Sequence, residues 1–154
     1  MENHSVLTKD LFIKGYNCSQ SVFAAFCDET GMELETALKM SSSFGGGMGR
    51  LREVCGAVSG MFMAAGILYG YSDPSDKTAK AEHYELIQML AAKFREENGS
   101  IICRELLGLT GEADSPIPED RTAEYYERRP CSELVEHAAE ILDGYIKKNP
   151  LKGR

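Results

Sequence analysis

The sequence predicts an all-α protein, a compact single-domain helical bundle of about six or seven helices spanning residues 1–154. Three observations lead there. Almost every long segment has apolar residues at helical spacing, and no run shows sustained strand alternation. Cap residues and glycine stops punctuate the chain at helical intervals. A chain of 154 residues can bury one core. It lacks tryptophan, but seven tyrosines and six phenylalanines can fill that core.

Taken in order, Val6, Leu7, Leu11 and Phe12 form the stripe of a first helix ending near Gly15. Asn17 is a cap for a second, with Gln20 at the capping-box position, and CSQSVFAAFCDE reads as one helix running to Gly31. ELETALKM is a third. The charge-free stretch Val54–Tyr71 is nearly long enough for a membrane, but it contains four glycines and no flanking basic cluster. A span needs about 20 apolar residues, so it reads as a buried central helix. From Asp76 to Asn98 an amphipathic helix turns Tyr84, Ile87, Leu90, Ala91 and Phe94 inward and Glu82, Glu85, Lys93 and Glu96 outward, with Gly99 as its stop. SIICRELLGL is short. Gly111–Pro130 reads as a long, mostly irregular loop, of the kind that forms lids. A last helix, Pro130–Lys148, buries Leu134, Val135, Ala138, Ile141, Leu142 and Tyr145.

The formal net charge of -7 argues against nucleic acid or an anionic membrane as partner. The first residues show no basic n-region followed by an apolar core, so the expected location is cytoplasmic. The five cysteines, Cys18, Cys27, Cys55, Cys103 and Cys131, are odd in number, which does not suit a stable disulfide framework.

Four of them share a position. Cys18 follows its cap Asn17, Cys55 lies in the first turns of the central helix, Cys103 comes just after the cap candidate Ser100, and Cys131 follows Pro130. Helix N-termini favour an anion, but by only about 0.3–1 kcal/mol, while one pKa unit is about 1.36 kcal/mol. Arginines supply more: Arg50 and Arg52 precede Cys55, Arg104 follows Cys103, and Arg128 and Arg129 precede Cys131. Low-pKa thiols occur in such settings. Cys27, nine residues past Cys18 on the other side of its helix, is a structural thiol.

Between residues 44 and 60 runs FGGGMGRLREVCGAVSG. Gly45, Gly46, Gly47 and Gly49 allow positive φ and close approach of backbone or ligand, which makes Gly46, Gly47 and Arg52 candidate cofactor-binding positions. The segment lacks the GK[ST] ending and preceding strand of a nucleotide loop. Gly56 and Gly60, with Ala57, Ala64 and Ala65, leave a flat face for close helix packing. His4, His83 and His137 show no metal-pair spacing.

CGAVSG at Cys55–Gly60 fits the pattern CGAxxG. With Cys18 before it and Cys103 and Cys131 after it, the chain resembles the C_GCAxxG_C_C family of redox-active proteins over most of its length. The resemblance implies a small helical protein whose four cysteines carry a redox or metal function.

Three functional readings stand. In the first, Cys18, Cys55, Cys103 and Cys131 perform thiol–disulfide or electron-transfer chemistry with a redox partner protein or a small molecule. The absence of any C-x-x-C pair leaves the fold to bring partners together, and Cys55 is the expected nucleophile. In the second, the same four cysteines are metal ligands for zinc or an iron–sulfur cluster, although 36, 47 and 27 residues intervene between them. In the third, the cysteines are merely buried, and the small-residue face is a seam for a homodimer or another helical partner.

Overall fold

The computed structural model describes residues 3–109 and 113–151. The chain forms α1 (His4–Ile13), α2 (Cys18–Ala25), α3 (Cys27–Thr30), α4 (Leu34–Ser41), α5 (Gly45–Met48), α6 (Gly56–Tyr69), α7 (Lys77–Asn98), α8 (Cys103–Leu106), α9 (Ala123–Arg128) and α10 (Cys131–Lys148). Extended pairing among the described residues is confined to one antiparallel bridge, Val54 with Ile102. The architecture is all-α, as the periodicity requires.

The predicted caps are in place. Asn17 accepts from the Gln20 amide while the Gln20 side chain accepts from the Asn17 amide, a complete capping box. Asp76 caps α7 through Ala79, and Gly99 closes it in the left-handed conformation. α6 is the buried hub: Ala57, Val58, Met61, Ala64 and Ala65 are out of contact with water. No helix among the described residues is long and apolar enough to cross a membrane. α2 lies against α6, and α10 packs on α1, α2, α6 and α7. The flat face of α6 works as expected. A Cβ at Gly60 would come within 2.7 Å of the Ser19 carbonyl oxygen and 3.0 Å of Val22 Cβ, so α2 can approach only because that atom is missing.

Three expectations change. The helix from Cys18 is not continuous: it breaks at Phe26, whose φ/ψ of -97/15 interrupts α2, and resumes as α3. On α7 the inward stripe runs through Leu86, Leu90, Ala91 and Phe94, and Tyr84 points to solvent, where it meets the Tyr71 hydroxyl at 3.3 Å. The segment before Pro130 contains α9, capped by Thr122; the start of that segment, Gly111, lies outside the described residues.

One buried cluster had no sequence signal. His4, fully buried, stacks on Phe26 at 4.2 Å. Its Nδ1 lies 2.6 Å from Asp143 and its Nε2 2.8 Å from Asp28. The cluster therefore ties α1, α3 and α10 together. Burial alone lowers the His4 pKa, but the hydrogen bonds and charges of Asp143 and Asp28 outweigh it and raise the pKa to about 9.

Candidate functional site: a thiol cavity lined by arginines

All four motif cysteines stand at helix starts. Cys18, Cys103 and Cys131 are the first residues of α2, α8 and α10, and Cys55 is the residue before α6. Helix packing then turns these starts toward one cavity of about 260 Å³, which Cys18, Cys55, Cys103 and Cys131 all line. Cys27 is half-buried against the core and is not among the lining residues. The sequence placed Cys55 inside its helix; it stands instead at the cap position, one residue before α6.

The glycine-rich segment makes this convergence possible. Gly46, Gly47, Met48, Gly49, Arg50 and Arg52 all have positive φ, between 62° and 72°. The segment is an ordered left-handed turn, closed by bonds such as Arg52 N to Gly46 O at 3.3 Å and Glu53 N to Gly47 O at 2.9 Å. Left-handed backbone costs a non-glycine residue about 1–2 kcal/mol, so Met48, Arg50 and Arg52 are strained, a condition that clusters at functional sites. A Cβ on Gly47 would sit 2.6 Å from Cys103 Cβ, and one on Gly56 would sit 3.0 Å from Cys18 Cβ. These two glycines let the turn touch Cys103 and let α6 touch Cys18. Antiparallel bonds finish the frame: Cys55 N donates to Ile101 O at 2.8 Å, and Cys103 N donates to Glu53 O at 2.6 Å.

Arginines surround the sulfurs, as expected in kind but not in pairing. Arg52, buried, donates from Nη1 to Cys103 Sγ at 3.6 Å and from Nη2 to Asp114 at 2.9 Å. Arg50 shares Asp114 at 3.3 Å. Arg129 lies 2.5 Å from Glu119. Arg104 turns away to Glu53 at 2.7 Å and is not part of the lining. Sequence reading missed Arg121 and Tyr125, since nothing near them in the chain is a cysteine. Arg121 donates to the Phe12 and Tyr16 carbonyls, both at 3.0 Å, and stacks on Phe12 with its carbon 4.3 Å from the ring centre. Pro116, Pro118, Glu119 and Arg121, from the segment between α8 and α9, form part of the cavity wall. Gly46, Gly47 and Arg52 line it too.

This setting treats the four thiols unequally. Burial pushes Cys55 up to about 12. Burial also raises Cys103, against the opposing pull of Arg52. Cys18 is raised by its hydrogen bond to Cys131 and by burial. Cys131 alone is drawn below the ordinary thiol range: the Cys18 hydrogen bond favours its anion, and Arg129, Arg121 and Arg52 add to this against desolvation. Of the four, Cys131 is therefore the thiol whose anion the surroundings favour, and Cys18 the one they hold protonated. The five cysteines are unbonded.

Four thiols around one cavity with cationic walls have the donor chemistry of an iron–sulfur site. Tetrahedral zinc asks for more. With zinc–sulfur bonds of about 2.3 Å, its sulfurs lie about 3.8 Å apart. The group of three or more ligand atoms found within 4.8 Å of one another among the described residues is His4, Asp28 and Glu29, not the cysteines. As arranged, the thiols do not fit a single zinc ion.

A helical domain presenting four cysteines to one arginine-lined cavity is the class that fold and site define. The family model described as "Putative redox-active protein (C_GCAxxG_C_C)" matches residues 16–145, and the chain belongs to that family. No curated protein and no solved structure matches it.

Proposed function

We propose that the protein is a dithiol–disulfide redox protein in which Cys131 attacks and Cys18 resolves. What supports this reading is that Cys18 and Cys131 line one cavity and are shifted in opposite directions, Cys18 upward and Cys131 downward, with three arginines favouring the Cys131 anion. The thiolate is the nucleophilic form of cysteine, and among the four thiols Cys131 is the one favoured in that form at neutral pH. Cys55, the residue that chain position favoured, is too deeply buried to ionise there.

The chemistry balances over two steps. Cys131 S⁻ attacks one sulfur of a substrate disulfide, forming a mixed disulfide and expelling one thiolate. Cys131 is then neutral, so the hydrogen bond and charge that raised Cys18 are removed. Cys18 loses its proton to the departing thiolate or to water and attacks Cys131 Sγ. A Cys18–Cys131 disulfide forms and the second substrate thiol leaves. Two electrons pass from the protein to the substrate, and the reverse sequence reduces the protein.

The test is thiol counting with mapping by mass spectrometry after a mild disulfide oxidant. The expected result is the loss of two thiols and a peptide pair joining Cys18 to Cys131. Five free thiols after oxidation would overturn the reading.

A second reading has one observation in its favour: all four motif cysteines, not two, line the cavity. Under it, Cys18, Cys55, Cys103 and Cys131 would hold an iron–sulfur cluster, which would supply one-electron transfer. Iron and sulfide analysis of anaerobically purified protein separates the two readings.

A further inference from the structure

We infer that the substrate of this site is a small disulfide bearing carboxylates. The inference rests on the thiol–disulfide reading above and adds the substrate class.

It starts from Arg52. This side chain is only 5% exposed, and its Nε is buried with no hydrogen-bond partner among the described residues. A buried, charged donor left unsatisfied is costly, and native structures rarely keep one without a reason. Arg52 lines the thiol cavity, so its positive charge stands on the wall that an anionic ligand would meet.

Charge on the cavity wall points the same way. Arg50, Arg52, Arg121 and Arg129 line it, against one lining carboxylate, Glu119. Glu119 serves Arg128 as well as Arg129. Asp114 is divided between Arg50 and Arg52. Arg121 bonds to uncharged carbonyl oxygens, and among the described residues no carboxylate lies within 4.0 Å of it. The cavity is therefore cationic within a protein of net charge -7. That general field repels anions, so the positive lining must act locally, through charge-assisted hydrogen bonds.

Size fits a small ligand. The space is about 260 Å³, below the about 300 Å³ at which sites for drug-sized ligands begin. The segment carrying Pro116, Pro118 and Glu119 forms one wall. A small compound fits within this space.

The reaction consumes one dicarboxylate disulfide, the Cys131 thiolate and the Cys18 thiol. It yields the Cys18–Cys131 disulfide, one substrate thiol and one substrate thiolate.

Three symmetrical disulfides of similar length test the inference on the reduced full chain: dianionic 3,3'-dithiodipropionate, neutral 2-hydroxyethyl disulfide and dicationic cystamine. The rate of Cys18–Cys131 disulfide formation is read by quenching with an alkylating agent. We expect the dianion to react about tenfold faster than the neutral compound, with cystamine slowest. Arg52→Asn, chosen because asparagine tolerates the φ of 62° there, should bring the dianion and neutral rates to within about threefold. If that variant does not fold, the wild-type protein still decides. Adipate, a dicarboxylate without sulfur, should slow alkylation of Cys131, whereas 1,6-hexanediol should not. Equal rates for dianion and neutral compound in the wild type, a preference that survives in Arg52→Asn, or no protection by adipate would each overturn the substrate class while leaving the thiol–disulfide reading intact. No disulfide formation with any of the three would overturn both.

Discussion

The His4 cluster and the thiol cavity both keep charge away from bulk water, and they treat it in opposite ways. At His4 both ring nitrogens have carboxylate partners and one face of the ring lies on Phe26. Nothing there is left to react, and three helices are joined as a result. In the cavity, Arg52 Nε has no partner among the described residues, the surroundings favour the anion of the free Cys131 thiol, and Gly46–Arg50 and Arg52 are held left-handed. A buried charge with every partner supplied is scaffold. A buried charge with a partner missing has binding free energy still to be realised, and it stands where chemistry is expected.

The largest effects should break the cavity's side of this contrast. Cys131→Ser removes the thiolate and should reduce disulfide formation with small disulfides to background, because a serine hydroxyl is not ionised at neutral pH. Cys18→Ser should instead stop the reaction halfway, leaving a stable adduct on Cys131 visible in the intact mass. If Cys18→Ser completes the reaction and Cys131→Ser accumulates the adduct, the two roles are exchanged.

The unequal thiols can be compared without mutation. At pH 7 a thiol with a pKa of about 12, as for Cys55, is ionised to roughly one part in 10⁵, against a few per cent for an ordinary thiol. Alkylation by iodoacetamide followed by peptide mapping should label Cys131 at least about 100-fold faster than Cys55. Cys131 labelling should also persist as pH falls below the usual thiol range, since its pKa is depressed. Equal labelling of the two would remove the electrostatic basis for choosing Cys131.

On the scaffold side, His4→Gln should cost about 3 kcal/mol of stability near pH 6, the equivalent of raising a histidine pKa from 6.5 to about 9. The sign follows from the direction of the shift. His4 holds its proton more tightly when folded, so the stabilisation is fully present below about pH 6.5 and is lost as pH rises through about 9. Urea unfolding of wild type and variant should show a large gap at pH 6 and a small one at pH 10. A gap that does not change with pH would mean that His4 acts through packing alone.

The smallest effect joins the two regions. Asn17 caps α2 and also donates to the Ser42 carbonyl at 3.1 Å, beside the cavity. Asn17→Ala should cost about 1 kcal/mol from the lost cap, measured by thermal unfolding, and should leave the charge on Cys131 in place. A much larger loss would show that the Ser42 contact bears on the fold as well.

Local chemistry was legible in the chain. Asn17 with Gln20, and Asp76 with Gly99, mark helix ends because capping depends on residues a few positions apart. For the same reason the start positions of Cys18, Cys103 and Cys131 could be read, along with the flat face of α6 at Gly56 and Gly60. Family membership was also legible, since CGAVSG and three ordered cysteines form a linear pattern. What depends on distance in space was not. The Cys18–Cys131 pair, the choice of Cys131 over Cys55, the part played by Arg121 and the His4 cluster all join residues far apart in the chain. A thiol's charge state is set by burial and by the cations around it, and chain order specifies neither. The sequence alone marked the helix ends that caps and glycine stops encode, such as those of α2 and α7, but not the break at Phe26, α9 or the place of Cys55 ahead of α6; tertiary packing alone decided which of the four sulfurs has three guanidinium groups favouring its anion, because burial and surrounding charge are set in space and not along the chain.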